Sequence, residues 1–396
     1  MELLIKNACI VDYSKNITGD IYIKDGIISE ISKNIKKDCP VIDADGLTVL
    51  PAFVDSHAHF RDPGYTYKED IFSGGRAASK GGYTAVNLMA NTKPVCSSMD
   101  VVNYVLEKCS KTGLVDAHQC VSITRDFEGK DVTHLKSIDT SKVKIISEDG
   151  FDVMDDNVME KAMDIAKEMG LIVMTHCENK NAINSRISEN TMTKRNVDLA
   201  EKTGCSLHVA HVSTKEAESY IKDAKSRGIK VTCEVTPHHI SLTGDANYKV
   251  NPPLREKEDI EVLIQGIKDG TVDMIGTDHA PHSKEDKEKG ANGISGIETS
   301  FPVVYTNLVV KNNITLNKVS ELMSKSPSDM LGFNKGRIET GYDGDIVIVD
   351  LNCRYEINAS KFYSKGKNTP FDGSSVYGKI IYTIKSGKIT YKEGEN

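Results

Sequence analysis

The segment VKIISEDGFDVMDDNVMEKAMDIAKEMGLIVMTH (residues 143–176) contains the repeating unit that decides the fold. It begins with a short apolar run at residues 143–147. A longer run at residues 157–169 has apolar side chains at i, i+3, i+4 and i+7, and this spacing is typical of one helical face. That face is formed by Met159, Ala162, Met163 and Ala166. Gly170 follows where a helix C-terminal glycine belongs, and residues 171–175 are apolar again. The segment therefore predicts a strand, a helix and a second, parallel strand.

The same alternation extends over the central part of the chain. Candidate strands cover residues 50–56, 84–89, 115–123, 143–147, 171–175, 207–210, 230–235 and 272–276. Helices are predicted between them, for example over residues 157–169, 214–226 and 258–268. Unbroken alternation of strands and helices indicates an α/β protein with a parallel sheet, and eight strands favour a closed (β/α)8 TIM barrel. A doubly wound open sheet is the alternative.

The two ends of the chain differ from the middle. Short β-branched runs separated by Asp-Gly turn signals cover residues 3–5, 21–23, 27–31 and 41–43, and similar runs return at residues 345–350, 379–384 and 388–391. The sequence therefore predicts one small β-sandwich domain built discontinuously from residues 1–49 and 339–396. The barrel domain is predicted over residues 50–338.

Composition excludes several classes of function. The 396 residues include 50 Lys and Arg against 57 Asp and Glu, a net charge of −7, so neither a nucleic acid nor an anionic membrane is an expected partner. No apolar run reaches the length of a membrane span, and the N-terminal residues lack the features of a signal peptide. The nine cysteines are scattered without a CxxC pair, which is typical of a reducing compartment. We expect a cytoplasmic protein.

Five of the eleven histidines follow the C-terminal ends of predicted strands, the face on which barrel enzymes place their active sites. They are His57, His59, His176, His211 and His279. Asp149 and Asp278 also follow predicted strands. Imidazole and carboxylate groups form a ligand set suited to Zn²⁺ or a similar divalent ion. Four imidazoles and two carboxylates exceed the needs of one catalytic zinc with an open position, so two metal ions fit better.

Four ordered motifs resemble those of one enzyme family. Asp55-x-His57-x-His59-x-Arg61-x-Pro63-Gly64 resembles the opening signature of the dihydroorotases in the amidohydrolase superfamily. Three further segments resemble later motifs of that family: Met89-Ala90-Asn91-Thr92-x-Pro94, Asn251-Pro252-Pro253-Leu254-Arg255 and Thr277-Asp278-His279-Ala280-Pro281-His282. The resemblance covers nearly the whole chain.

The resemblance implies a role for each matching residue. His57 and His59 would hold one metal ion, His176 and His211 a second, with Asp149 bridging the two and Asp278 completing the ligand set. The two cofactors would be divalent metal ions, expected to be Zn²⁺. Arg61, Asn91, Asn251 and His282 would surround the substrate.

The implied reaction is the reversible interconversion of N-carbamoyl-L-aspartate and L-dihydroorotate plus water, a step of pyrimidine (UMP) synthesis. Asp278 would be the catalytic residue that transfers the proton. The small-molecule substrate carries a carboxylate, which the Arg61 guanidinium can bind in a bidentate pair.

The sequence departs from the family pattern at three places. Glu148 stands where the family usually has an aspartate, although Asp149 is kept. The chain between His176 and His211 is shorter than usual by about one helix. Asn292-Gly293 replaces a Phe-Gly pair that the family often shows. The charged run at residues 283–290 is either a solvated loop or a mobile lid.

Two other functions compete with this interpretation. The first is another cyclic amidohydrolase, such as a dihydropyrimidinase, hydantoinase or allantoinase, in which a carbamylated lysine commonly bridges the metals; Lys144 is available for that role. The second is a non-catalytic scaffold paralogue, which would be expected to have lost metal ligands. The sequence leaves open a homodimer and an association with aspartate carbamoyltransferase.

Overall fold

The computed structural model describes residues 1–395. Its N-terminal part consists of five strands. They are β1 (Glu2–Val11), β2 (Asn16–Lys24), β3 (Ile27–Ser32), β4 (Val41–Asp43) and β5 (Thr48–Pro51). Strands β1, β2 and β3 form an antiparallel meander, whereas β4 and β5 run parallel to β1. The turn between β2 and β3 places Asp25 and Gly26 at φ values of 51° and 85°, which explains the Asp-Gly signal in the sequence.

Eight further strands form the barrel. They are β6 (Phe53–Ala58), β7 (Tyr83–Leu88), β8 (Asp116–Gln119), β9 (Ile145–Ser147), β10 (Ile172–Thr175), β11 (Ser206–Val209), β12 (Val231–Val235) and β13 (Met274–Ile275). Strands β6 to β8 and β9 to β13 pair in parallel in sequence order. Single parallel bridges join the two groups, between Val121 and Ile146 and between Ala58 and His279. The predicted (β/α)8 barrel is confirmed.

Seven helices follow the barrel strands along the chain. They are α1 (Ile71–Lys80), α2 (Met99–Thr112), α3 (Asp156–Met169), α4 (Ser185–Thr203), α5 (Lys215–Ser226), α6 (Lys257–Asp269) and α7 (Lys284–Glu288). The connection between β8 and β9 differs from the predicted alternation, because it contains only two 3-10 turns, Arg125–Phe127 and Thr133–Ser137. This connection is rich in Asp, Ser, Thr and Gly, which favour turns over helix. Within residues 1–395, no helix combines the length and the apolar character that a membrane crossing requires.

The chain after the barrel strands returns to the first sheet. Helical segments α8 (Ser300–Val304), α9 (Leu316–Ser320) and α10 (Ser326–Leu331) alternate with π-helical turns at Tyr305–Lys311 and Glu321–Lys325. Strands β14 (Ile346–Glu356), β15 (Ser375–Lys385) and β16 (Lys388–Lys392) follow. Strand β14 pairs antiparallel with β5, with Val49 opposite Ile348, so both ends of the chain share one eight-stranded sheet. This sheet is separate from the barrel, as the sequence predicted; the domain boundaries at residues 49 and 338 stay predictions.

One predicted strand, residues 50–56, is two strands in the structure. Strand β5 ends at Pro51 in the mixed sheet, and β6 begins at Phe53 in the barrel. Between them Ala52 donates its N–H to the carbonyl of Asp345 over 3.0 Å. Both strands are fully buried, so their apolar residues form one continuous run in the sequence, and periodicity alone cannot show the break.

Candidate active site

The C-terminal ends of the barrel strands bring the predicted metal-binding residues together. His57 lies at the end of β6, and His59 follows it on the same side, as the strand periodicity requires. His176 follows β10, His211 follows β11, Asp149 follows β9, and Asp278 follows β13. All six of these side chains are buried.

Asp149 lies at the centre of this cluster. Its Oδ1 is 3.4 Å from Nε2 of His57, 3.3 Å from Nδ1 of His176 and 3.6 Å from Nε2 of His211. Its Oδ2 is 3.5 Å from Nε2 of His59. Burial alone would raise the pKa of Asp149, but His57, His176 and His211 hold that pKa well below its usual range. The carboxylate therefore remains ionised, as a cation-binding group must.

Asp278 approaches the same cluster from the last barrel strand. Its Oδ1 lies 3.1 Å from Nε2 of His59 and 3.7 Å from Nε2 of His57. Burial opposes ionisation, yet the close contact with Nε2 of His59 and the nearby histidines lower the pKa of Asp278 below its usual range. Asp278 and His211 have φ values of 46° and 34°, a left-handed conformation that is unfavourable for these residue types and that often occurs at functional sites.

These residues fit a divalent metal ion. In the described part of the chain, neither Nε2 of His57 nor Oδ1 of Asp149 has a well-aligned hydrogen-bond partner, although both atoms are buried. Nδ1 of His176 lies 2.7 Å from Nε2 of His211, which brings two potential ligand nitrogens together. Two groups, His57 with His59 and Asp278, and His57 with Asp149 and His211, each present ligand atoms within 4.8 Å of one another. Imidazole and carboxylate donors of this kind suit Zn²⁺ and similar cations.

The residues expected around the substrate lie beside this cluster. Nδ1 of His59 donates to Oδ1 of Asn91 over 2.9 Å, and Nδ2 of Asn251 lies 3.0 Å from Nε2 of His176. Both amides therefore contact rings of the predicted metal ligands directly, which the sequence did not indicate. Arg61 follows His59 with a φ of 60°, and its buried Nε has no hydrogen-bond partner within residues 1–395. His282 is also buried.

Glu234 is the buried functional residue that sequence reasoning missed. Its Oε1 accepts a hydrogen bond of 2.8 Å from Nδ1 of His57, and its Oε2 accepts one from the hydroxyl of Ser56. His208 approaches the same carboxylate at 3.4 Å. Gly276 leaves room for it, because a Cβ at that position would lie 2.6 Å from Oε2. The signal in the sequence was a single charged residue inside the strand Val231–Val235.

The remaining sequence features have structural roles. Nδ1 of His118 donates to Asn87, and Nε2 of His118 accepts from the backbone N–H of Lys144. His134 and His239 contact backbone carbonyls. Glu148 accepts from the backbone N–H of Thr124, away from the histidine cluster. Burial raises the pKa of Glu148 to about 7.

The structure also defines the conformation of three segments that the sequence analysis singled out: residues 176–211, 283–290 and 292–293. The chain between His176 and His211 still contains one complete helix, α4. The charged run at residues 283–290 forms the short helix α7. Gly293 has a φ of 134°, and a Cβ there would lie 2.7 Å from the carbonyl oxygen of Ala280, so this position requires glycine.

The chain is similar to known proteins along nearly its whole length. The model of the amidohydrolase family matches residues 48–390. The chain is 53% identical over 398 residues to a dihydroorotase of Clostridium botulinum (strain Eklund 17B / Type B), an alignment that covers 99% of this chain and 100% of that protein. It is 43% identical over 423 residues to a dihydroorotase of Thermoanaerobacter sp. (strain X514), covering 99% and 98% of the two chains.

Solved structures show the same architecture. The L-hydantoinase (dihydropyrimidinase) from Arthrobacter aurescens superposes with a TM-score of 0.91 at 27% identity, covering 99% of this chain and 96% of that one. The dihydropyrimidinase from Brevibacillus agri NCHU1002 also gives a TM-score of 0.91, at 24% identity, with 100% and 96% coverage. At that identity the second likeness shows the fold alone.

Proposed function

The chain belongs to the amidohydrolase family, and from that premise we propose that it catalyses the reversible interconversion of N-carbamoyl-L-aspartate and L-dihydroorotate plus water. This is a reaction of a metal-dependent cyclic amidohydrolase in pyrimidine synthesis. Full-length identity of 53% to a dihydroorotase supports it. The observation that carries the proposal is the half-buried Arg61, whose buried Nε is unpartnered among the described residues, near the carboxylates of Asp278 and Asp149. A guanidinium in this position selects a substrate that bears a carboxylate.

The metal-binding part of the proposal assigns two divalent cations to this cluster. His57 and His59 would hold one, and His176 and His211 the other. Asp149 would bridge them, since its two oxygens face all four rings, and Asp278 would complete the set. Zn²⁺ is the cation that this donor set favours. When bound, such cations supply Lewis acidity, which polarises a carbonyl group and makes water more acidic near neutral pH.

Asp278 is the proposed proton carrier. Its pKa is lowered below its usual range, so its carboxylate starts ionised and can accept a proton on Oδ1 or Oδ2. In the hydrolytic direction it would take the proton of the attacking water and deliver it to the ring nitrogen that leaves. In the synthetic direction it would take the proton from the ureido nitrogen.

Arg61, Asn91 and His282 would bind and orient the substrate. Burial lowers the pKa of Arg61, but Asp278 and Asp149 lie close enough to offset part of that effect, so the guanidinium stays charged. Oδ1 of Asn91 accepts a hydrogen bond from His59, whereas its Nδ2 faces Asp149. This Nδ2 would also donate to the substrate. Fixed donors of this kind orient the reacting amide. Asn251, held against His176 and Glu178, would line the opposite wall.

Lys144 argues against an alternative cyclic amidohydrolase of the hydantoinase type. Its Nζ donates to the carbonyl of Thr140 over 2.8 Å, so the side chain runs toward the beginning of β9. Asp149, which faces the histidines, follows the other end of that strand. A carbamylated Lys144 would therefore not reach the cluster. All six candidate ligands are present and converge, which also argues against a scaffold that has lost its metals.

A cytoplasmic location is proposed together with this activity. All nine cysteines lie within the described residues and are free thiols, which suits a reducing compartment. A homodimer and an association with aspartate carbamoyltransferase stay predictions. Sedimentation of the protein alone and with that enzyme tests both.

The decisive experiment assays the purified, zinc-loaded protein with L-dihydroorotate and with dihydrouracil in parallel. We expect turnover of dihydroorotate only, because dihydrouracil has no carboxylate for Arg61 to bind. Turnover of dihydrouracil alone would contradict the proposal in favour of a dihydropyrimidinase. Absence of activity on both, with metal bound, would favour a scaffold.

A further inference from the structure

Lys68, in the loop between β6 and α1, places its ammonium group between His282 and helix α7. Its Nζ lies 3.4 Å from Nδ1 of His282 and 3.4 Å from Oδ2 of Asp286 in that helix. The aromatic rings of Tyr65 and Tyr67 flank the ammonium, with centroids 5.9 and 5.6 Å away. Only 17% of the Lys68 side chain is exposed. The fold therefore holds this cation in a partly enclosed position against a ring nitrogen.

The backbone of His282 is anchored independently of Lys68. Its N–H donates to Oδ1 of Asn368 over 3.0 Å, and Nδ2 of Asn368 donates to the carbonyl of Gly293 over 3.0 Å. Gly293 packs behind the ring, since a Cβ there would lie 3.3 Å from Cδ2 of His282. With the backbone fixed, the main freedom left to the ring is which of its two nitrogens carries the proton.

The contact with Lys68 determines that choice. An ammonium group has only donors, so Nδ1 of His282 must accept, and the single proton of a neutral ring then lies on Nε2. The ring is neutral because burial, together with the charges of Arg61 and Lys68, lowers the pKa of His282 to about 3 and outweighs a contact with the backbone of Asn292 that raises it. Nε2 is thereby an N–H donor over the whole neutral pH range.

We propose that Lys68 is a positioning residue that fixes His282 as an Nε2–H donor for an oxygen of dihydroorotate. The same ammonium ties helix α7 to the loop after β6 through Asp286. This inference rests on the dihydroorotate reaction proposed above. Without the ammonium, both forms of the neutral ring become accessible, and the form with a bare Nε2 repels the substrate oxygen instead of binding it.

The kinetic test compares Lys68→Met with Lys68→Arg. In K68M we expect KM for dihydroorotate to rise about 5- to 10-fold and kcat to change less than about 2-fold, because one neutral hydrogen bond is weakened. K68R should restore most of the affinity, since a guanidinium also only donates. The matched control is Lys284→Met in α7, whose side chain is 87% exposed and which should leave KM unchanged.

The second readout needs no substrate. Nitrogen-15 spectra of histidine-labelled protein, with the His282 signals assigned by their loss in H282Q, report which ring nitrogen carries the proton. Wild type should show protonated Nε2 and bare Nδ1, and K68M should shift toward a mixture of the two forms. If the wild type fails to turn over dihydroorotate, the proposed function fails, whereas the spectra still decide the role of Lys68.

Three results would overturn the proposal. The first is a protonated Nδ1 in the wild type, which needs no substitution at Lys68. The second is an unchanged His282 spectrum in a K68M protein whose melting temperature and metal content match the wild type. The third is a raised KM with no change in the spectrum, because Lys68 would then act on the substrate directly.

Discussion

Nδ1 of His57 donates a hydrogen bond of 2.8 Å to the fully buried carboxylate of Glu234, on the opposite edge of the ring from Asp149 and Asp278. This bond places a ring proton on Nδ1, so Nε2 faces the two carboxylates and would give its lone pair to a bound cation. Without a cation, burial would lower the pKa of His57, but the carboxylates of Asp149 and Glu234 raise it well above its usual value. A carboxylate behind a metal-binding imidazole fixes the orientation of the ring and increases its basicity. Glu234 would therefore orient His57 toward a cation by contacting the ring, and it is not itself one of the candidate ligands.

Replacing Glu234 with glutamine should weaken binding of Zn²⁺ by about 10- to 100-fold, because the amide accepts the hydrogen bond but supplies no charge. Competition with a chromophoric zinc chelator measures this affinity directly. Glu218→Gln is the matched control, since Glu218 is also buried but lies in α5, outside the histidine cluster. Equal zinc affinity in E234Q and E218Q would show that Glu234 has no influence on the metal site.

Removal of metal should abolish activity and lower the melting temperature, since it leaves four imidazoles and two carboxylates packed together without a cation. We expect the purified chain to bind two equivalents of Zn²⁺, counted by elemental analysis after dialysis. His57→Ala should reduce the count, because its Nε2 belongs to both candidate ligand groups. A saturating value of one equivalent in the wild type would refute the binuclear arrangement.

Arg61→Met should raise KM for dihydroorotate by about 100-fold, because a bidentate, buried ion pair with the substrate carboxylate is lost. Metal content should stay at the wild-type level, since Arg61 is not among the candidate ligands. Arg125→Met provides the comparison, because Arg125 pairs with Asp131 at the surface. An unchanged KM in R61M would remove Arg61 from the substrate site.

Lys335 should be essential to stability rather than to catalysis. Its ammonium is buried and pairs with Asp345, and it lies 2.9 Å from Asp116 of β8, so it links the barrel to the chain that enters β14. Lys335→Met leaves a buried carboxylate without a counterion and should lower the free energy of unfolding by about 3–5 kcal/mol. Lys111→Met, which removes an exposed helical pair, should change it by less than about 0.5 kcal/mol. Urea denaturation measures both.

The same variant gives a pH test. Burial alone would lower the pKa of Lys335, but Asp345 and Asp116 raise it above its usual range. A group whose pKa is raised on folding stabilises the protein fully below its unfolded pKa, about 10.4 for lysine, and loses this contribution as pH rises further. The stability difference between wild type and K335M should therefore be constant up to about pH 10 and shrink above it. A difference that grows with pH would contradict the ion-pair role.

The sequence predicted the barrel from short-range patterns, and the resemblance to the dihydroorotases singled out the six candidate ligands that converge in the structure. His57 and His59 follow a strand two residues apart, and the order of strands places His176, His211, Asp149 and Asp278 at the same edge of the barrel. It did not predict the contacts of Asn91 and Asn251 with histidine rings, since these join loops far apart in the chain. The break at Ala52 was also hidden, because two differently paired strands both present buried apolar residues.

The pairing of β5 with β14 joins residues about 300 positions apart, as in the register of Val49 with Ile348. During synthesis on a ribosome, β5 therefore cannot pair with β14 until the residues of the barrel have been synthesised. Until then β5 exposes an unpaired edge, which is a site for association with other chains. We therefore expect the first sheet to close late in folding, and chains interrupted before β14 to be targets for chaperones.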